Sequence, residues 1–341
     1  MLAGAEPDAF RDTFVAMAGA RAMITATRLG VFAAVAREPA SAAALAGRLG
    51  LELPGVEALL GALVALGYLD VDARGAHRPT AAGARLDPGA ADSVANFVGA
   101  YNSHAWSMLG RLDEVLRDSR TAASHRRPAE DPFWEHYIRG LFELSREEHE
   151  HNARLVPVSE PGQLLDLAGG HGGFAMAMCA RFPGLRATVL DLPASAAVGR
   201  RIVAEQGFAD RVSFRQGDAL GDPLGERLDV ISIFNLLHHL APEQVRRLFG
   251  RALAALRPGG CLVVGETERA EPGETPSAAG AMSALVYFVS SGTRNYTRRE
   301  LGGWLREAGF AAPEVHRAER SPWRLIYLAR ADAAVKRQPR R

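Results

Sequence analysis

The sequence predicts an α/β fold: a mostly parallel, seven-stranded sheet covered by helices and preceded by a helical domain of winged-helix type. Three observations carry this. A strand, a glycine-rich turn, a helix and a second strand ending in an acid follow one another over residues 163–191. Apolar strand patterns and helical patterns then alternate as far as residue 329. Residues 1–100 read instead as short helices followed by a turn and a small strand pair.

In chain order, residues 10–36 show one continuous helical pattern. Residues 41–50 and 54–67 follow as two short helices, and Tyr68-Leu-Asp-Val-Asp opens the strand pair. A winged helix raises the question of DNA. Residues 37–80 carry four arginines against five acids, and the helix at 54–67 has no basic residue. Phosphate contacts dominate affinity for a duplex, so this surface has little with which to hold one. Its apolar faces read as core and as a subunit interface.

Gln163-Leu-Leu-Asp-Leu-Ala168 reads as a buried strand, and Gly169, Gly170, Gly172 and Gly173 form the turn after it. Backbone N–H groups and a helix N-terminus can approach an anionic group there, while Asp191 can hold a ribose diol. Read as G-x-G-x-x-A from Gly170, the loop fits a dinucleotide fingerprint. Asp191 then lies 19 residues beyond Gly172, against the usual gap of about 20. Read as D-x-A-x-G-x-G from Asp166, the loop fits the looser pattern of S-adenosylmethionine methyltransferases. The glycines alone do not separate the two.

Downstream residues do. A helical run at 194–206 leads to an alternating strand at 211–216, closed by Gly217-Asp218-Ala219. Residues 228–235 are almost continuously apolar, the pattern of a strand buried on both faces. A helix at 242–256 ends at Arg257-Pro-Gly-Gly, and residues 261–266 form a fifth strand. Residues 297–308 read as a helix, with 313–316 and 323–329 as a closing strand pair whose last member runs antiparallel. Gly-Asp after strand three, Leu-Leu-His-His after strand four and Leu-Arg-Pro-Gly-Gly before strand five together resemble class I methyltransferases. The sheet is therefore expected to be Rossmann-like and the nucleoside to be S-adenosylmethionine; a nicotinamide oxidoreductase and a winged-helix regulator are the weaker alternatives.

Composition agrees. The 341-residue chain suits two domains; 48% hydrophobic content and a formal charge of +1 give no bulk attraction to nucleic acid or membrane. No run of about 18 apolar residues occurs, and residues 1–12 lack a basic start before an apolar core, so a cytoplasmic location is expected. Cys179 and Cys261 read as packed thiols, and no metal site is expected. Of the 40 basic residues only Lys336, in a basic tail, is a lysine, which removes a P-loop lysine and Schiff-base chemistry.

The order winged helix, connecting helices, catalytic sheet is similar to the caffeate and acetylserotonin O-methyltransferase family, including bacterial members that tailor natural products. The resemblance runs over residues 10–329. It implies a dimerisation domain at 1–100, connecting helices at 101–160, a methyltransferase domain at 161–330 and a basic tail at 331–341. It further implies a homodimer and a small aromatic acceptor, with neither nucleic acid nor membrane as partner. Phe133-Trp-Glu-His-Tyr137-Ile-Arg-Gly140-Leu-Phe-Glu-Leu-Ser145 follows the family's aromatic-x3-aromatic-x2-Gly-x4-Ser helix, which places Tyr137 and Ser145 at the cofactor. Phe133 reads as core packing.

Methyl transfer from a sulfonium is an in-line displacement that needs alignment, itself worth roughly 7–11 kcal/mol, and a base if the acceptor is a hydroxyl. His238 lies just past strand four, where open α/β sheets bind ligands. It aligns with the family's catalytic histidine, and Glu266 with the glutamate that orients it. Gly170 and Gly172 would face the cofactor, Asp191 its ribose, and Asp218 with Ala219 its adenine. Asn235 ends an apolar strand and needs a polar partner, for which the cofactor is a candidate.

The chain departs from the family at His239 (Asp), Leu240 (Trp), Ala168 (the first loop glycine), Asn295 (a second supporting glutamate) and Phe234 (a lysine near the adenine). Support for the base is thereby reduced, and C- or N-methylation of an electron-rich acceptor stands as the alternative to O-methylation. His171 is a candidate for lining the cofactor or for local turn bonding, and His104, Trp106 and His136 for lining the acceptor pocket. Residues 146–151 read as a solvated helix face, and 282–289 as a wall of that pocket.

Overall fold

The computed structural model describes residues 8–118, 121 and 127–331; the first seven residues and the tail carrying Lys336 lie outside them. The chain divides into two compact units, residues up to 107 with 139–144, and residues 108–138 with those from 145 onward.

In the first unit the single helix expected over 10–36 is two. Ala9–Arg28 starts on Asp8, whose carboxylate accepts from the amides of Phe10 and Arg11, and Val31–Arg37 follows. The break is at Gly30, with φ +75°, a conformation that costs glycine nothing. Apolar periodicity resumes on the same face after the break, so the pattern alone concealed it. Helix Ala42–Leu49 is capped by Ser41 Oγ, and Leu53–Ala65 carries Pro54 in its first turn. Strands β1 (Leu69–Val71) and β2 (His77–Pro79) pair antiparallel, completing the winged-helix pattern. Phe32, Val35, Leu45, Leu60, Leu63 and Leu69 fill the core.

The second unit is built on seven strands: β3 (Gln163–Leu167), β4 (Arg186–Asp191), β5 (Val212–Gln216), β6 (Leu228–Phe234), β7 (Leu256–Thr267), β8 (Glu314–Arg317) and β9 (Arg324–Arg330). Their order is β5-β4-β3-β6-β7-β9-β8, with β9 antiparallel to both neighbours. The chain winds outward from β3 to β5 and returns to the other side of β3 as β6. Strand order therefore reverses between β3 and β6, the place where open sheets leave a crevice beyond their carboxyl ends. Leu165, Leu167, Ile231, Ile233, Leu262 and Val264 hold the sheet centre, with helices Pro242–Ala255 and Arg298–Glu307 packed through Leu248, Phe249, Leu301 and Trp304. One expected boundary moves: Arg257-Pro-Gly-Gly belongs to β7, taken up where its register with β6 shifts between Leu228 and Val230. The apolar stretch at 282–289 lies within helix Ala278–Ser291, whose first turn is capped by Ser277.

Candidate active site

The loop after β3 is drawn onto the end of β4. Gly170 (φ +54°) donates its N–H to Asp191 Oδ2 at 2.7 Å, and Leu192 N donates to Oδ1 at 2.6 Å. Asp191 is buried, which raises its carboxyl pKa, while these amides and Ser195 pull it down. A carboxylate has about four acceptor positions, so one remains beside those that the two amides and Ser195 use. Ala168 adopts φ +53°, the left-handed region where the family has glycine. Gly169 and Gly199 are glycines for packing reasons. A Cβ on Gly169 would stand 2.3 Å from Asp166 Oδ2, and one on Gly199 2.3 Å from the Gly170 carbonyl oxygen. Helix Pro193–Glu205 can thus press against the loop.

His171 is used for structure. Burial lowers its pKa to about 4, so the ring is neutral. Its Nδ1 accepts from Gly173 N at 3.0 Å, which leaves the proton on Nε2 to meet Ser145 Oγ at 3.2 Å. Ser145 therefore does reach the glycine loop. Its helix, Phe133–Leu155, corrects the reading of 146–151 as a solvated face. Glu147 and Glu150 are exposed, but Ser145, Glu148, His149 and Asn152 recur at helical spacing on one buried stripe. Burial holds His149 well below its ordinary pKa and therefore neutral. Among the described residues, its Nδ1 and both amide atoms of Asn152 have no hydrogen-bond partner. A Cβ on Gly173 would meet His149 Cδ2 at 2.9 Å, so this imidazole lies against the start of helix Gly173–Arg181. Tyr137 packs with Phe133 (centroids 4.9 Å apart) and Trp134, while Ile138 reaches the loop at Gly170.

At the other strand ends, Asp218 is exposed and shapes a turn, its Oδ1 accepting from Leu220 N at 2.9 Å; its own N–H donates to Asp222 Oδ2 at 2.7 Å. Ala219 is buried and its carbonyl accepts from Arg251 at 2.6 Å. Asn235 takes φ +54° at the end of β6 and donates its N–H to Gly265 O. The partner its side chain requires is Arg324 of β9, which donates to Asn235 Oδ1 and, at 2.9 Å, to Glu148 Oε1. Sequence reasoning missed Arg324 and Glu148, which meet across 176 residues.

His238 and Glu266 are brought together. His238 sits in the short turn Leu237–His239 directly after β6, and Glu266 near the end of adjacent β7. Glu266 Oε1 accepts from Leu237 N at 2.6 Å and its Oε2 stands 2.9 Å from His238 Nδ1. A carboxylate only accepts, so Nδ1 carries a proton; in the neutral ring Nε2 then holds the lone pair. Both side chains are at most 5% exposed. Thr293 donates to the His238 carbonyl and Ser291 bonds to His239 Nδ1. Tyr287 lies flat on the His238 ring, centroids 3.8 Å apart and planes 11° apart. Asn295 donates to the Thr267 carbonyl at 3.0 Å, bracing the strand beside Glu266 through the backbone. Among the described residues no group of three or more His, Cys, Asp or Glu could hold a metal ion.

Comparison with known families decides between the nucleosides. The O-methyltransferase domain family matches residues 123–311, and the O-methyltransferase dimerisation domain matches residues 13–86. The chain belongs to the O-methyltransferase family. It is an S-adenosylmethionine-dependent methyltransferase with an N-terminal helical dimerisation domain. It is 30% identical to 3-hydroxy-5-methyl-1-naphthoate 3-O-methyltransferase of Streptomyces sahachiroi over 89% of each chain. It is 32% identical to the N,N-dimethyltransferase OxyT of Streptomyces rimosus, covering 72% of this chain and 74% of that one. The structure of human N-acetylserotonin methyltransferase shares the fold at TM-score 0.83 and 22% identity, covering 97% and 99% of the two chains. Among the described residues no helix is long and apolar enough to cross a membrane.

Proposed function

We propose that this methyltransferase acts on a hydroxyl of a small aromatic acceptor, with His238 as general base oriented by Glu266. The observation that carries the reading is the buried His238–Glu266 pair, 2.9 Å apart, at the carboxyl edge of the sheet. A hydroxyl needs a base in the transition state, and a neutral imidazole whose proton is pinned on Nδ1 presents Nε2 for that task.

The residues present fit S-adenosylmethionine. Gly170 and Gly172 give close backbone approach, and Asp191 keeps an acceptor position for a ribose hydroxyl. Asp218 and Ala219, held by Asp222 and Arg251, border the adenine. Tyr137 and Ser145 face the cofactor, and Asn235, held by Arg324, is a further contact; the buried His149 ring lies against the start of the helix that follows the loop. When bound, the cofactor supplies a methyl carbon on a positively charged sulfur. His238 would take the acceptor proton at Nε2 while Nδ1–H stays with Glu266, leaving the oxygen pair for the methyl carbon, whose bond to sulfur would give up its electron pair to a neutral thioether leaving group. The Glu266 carboxylate would balance the positive charge on the His238 imidazolium, and the buried surroundings exclude water from the reacting atoms.

We further propose boundaries of 1–100 for the dimerisation domain, 101–160 for the connecting helices and 161–330 for the catalytic domain. Phe10, Phe14 and Met17, exposed at helical spacing on the first helix, would be covered in a homodimer. A second reading, methylation at nitrogen, is favoured by Asn295 standing where the family has an acid, since an amine asks less of the base.

His238→Ala is the test. Turnover across hydroxylated naphthoates, phenols and aromatic amines is expected to fall about 10²–10⁴-fold at hydroxyl acceptors, with affinity for S-adenosylhomocysteine unchanged by calorimetry. Wild-type turnover would show that His238 is not the base. Turnover by the wild-type enzyme of aromatic amines, with none of the hydroxylated acceptors, would move the reading to nitrogen.

A further inference from the structure

The stack of Tyr287 on His238 has a geometry that calls for an explanation. Two neutral aromatic rings avoid a face-to-face sandwich and settle offset or edge-on, with centroids about 4.5–7 Å apart. Here the centroids are 3.8 Å apart and the planes 11° apart. Such an arrangement is less favoured than an edge-on one between two neutral rings, and it gains once one of them is a cation over the other's electron-rich face. Ring overlap of this kind therefore rewards the imidazolium more than the imidazole, and an interaction that grows as the reaction proceeds is one that speeds it.

We propose that Tyr287 is the positioning residue for the base: its ring fixes the plane of the His238 imidazole and stabilises the imidazolium formed when the acceptor proton arrives. This rests on the reading of His238 as base. Glu266 holds one atom of the ring, Nδ1. A single hydrogen bond still allows the ring to turn about it, and a flat neighbour removes that freedom. Tyr287 comes from helix Ala278–Ser291, in the stretch expected to wall the acceptor pocket, so one helix would both border the substrate and aim the base.

The groups facing His238 can be named from every side. Glu266 comes from β7, His239 from the same turn with its ring 4.2 Å away at 54°, and Tyr287 from the helix. The charges of Arg324 and Glu148 act on Tyr287 from β9 and from helix Phe133–Leu155. Burial raises the Tyr287 phenol pKa, with Arg324 opposing, so it stays neutral and its face remains electron-rich without adding a charge of its own. His239 is bonded to Ser291, which fixes its tilt and keeps it from taking the place of Tyr287 over the ring.

The test uses full-length protein loaded with S-adenosylhomocysteine and labelled with ¹³C-histidine, so no acceptor is required. His238→Ala assigns the His238 Cε1–H resonance by its loss. In wild type that resonance is expected to be displaced upfield by the tyrosine ring current. Tyr287→Phe keeps the displacement and the titration midpoint; Tyr287→Leu loses both, its proton affinity falling about tenfold and its midpoint moving about one pH unit lower. With a hydroxylated naphthoate as acceptor, kcat in Tyr287→Leu falls about tenfold at little change in KM, and the acid limb of the profile of kcat/KM against pH moves lower by the same amount. Superimposed titrations of wild type and Tyr287→Leu would overturn the proposal. So would an undisplaced wild-type resonance, a measurement that stands even if the leucine variant does not fold. If instead His238→Ala turns over at wild-type rate, the base assignment fails while the stack is still measured by its ring current.

Discussion

Replacing Asp166 by asparagine tests how the strand beneath the glycine loop is held. The side chain is 1% exposed in β3 and accepts a hydrogen bond from Ser232 Oγ at 2.6 Å. Burial, opposed by the Ser232 hydroxyl and reinforced by the Asp191 charge, moves its pKa from 3.8 to about 7. The folded protein therefore keeps a proton that the unfolded chain gives up near pH 3.8. Because the folded pKa is the higher one, the stabilising contribution is complete below pH 3.8 and is lost as pH rises through about 7. At 1.36 kcal/mol per pH unit the whole displacement is worth about 4 kcal/mol, of which about 1 kcal/mol disappears between about pH 6 and about pH 8.5. Asparagine preserves the shape and the acceptor oxygen for Ser232 but cannot titrate. Urea unfolding of both proteins, followed by circular dichroism at one fixed protein concentration because association adds to apparent stability, gives the difference at each pH. Wild type minus variant is expected to drop by about 1 kcal/mol over that range. Parallel pH curves would mean that Asp166 is charged throughout, and the account of the strand would be wrong.

Gly199→Ala would place a methyl group against the Gly170 carbonyl and the Phe214 ring, at 2.3 and 2.6 Å. Since backbone cannot swing aside, the helix and the loop must separate at a cost of about 1–3 kcal/mol; affinity for S-adenosylhomocysteine by calorimetry should fall at least about tenfold. Gly184→Ala, with nothing within 4 Å of the new Cβ, is the silent control. Normal affinity in Gly199→Ala would show that the loop needs no such close approach. Phe14 and Met17 are 63% and 52% exposed on the first helix. Phe14→Asp with Met17→Asp removes about 3–6 kcal/mol of expected burial, raising the dimer dissociation constant by about 10²–10⁴. Sedimentation equilibrium checks this, and an unchanged dimer would place the interface on another face.

Much of the catalytic sheet was legible because its signals are local. Buried parallel strands are apolar runs, glycines mark the tight loop, and His238 and Glu266 each end or follow a strand whose identity was clear. Asp191, Gly170, Ser145 and His171 meet at one loop as well. What stayed hidden depends on partners far apart in sequence or on backbone angle. The Gly30 break leaves the apolar phase intact on both sides. Tyr287 looked like one more apolar residue in a pocket wall, since nothing in a helix of Ala, Leu, Val and Phe says which ring will lie on a histidine.

Arg324 shows where the limit lies. Asn235, half-buried at the end of an apolar strand, and Glu148, buried on the inner stripe of a helix, are each costly to remove from water alone, and each therefore implies a partner. One guanidinium serves both, because its planar fork can donate in two directions at once, to an amide oxygen and to a carboxylate. The need for a cation was readable from either residue, but the choice among the arginines was not. Only the return of the chain as β9, antiparallel beside β7 with Arg324 opposite Thr267, brings this one to the strand end. A buried ion pair of this kind stabilises little in net terms, since desolvation offsets most of the attraction. Its effect is positional: it ties helix Phe133–Leu155 and two strands, β6 and β9, to one point at the carboxyl end of β6.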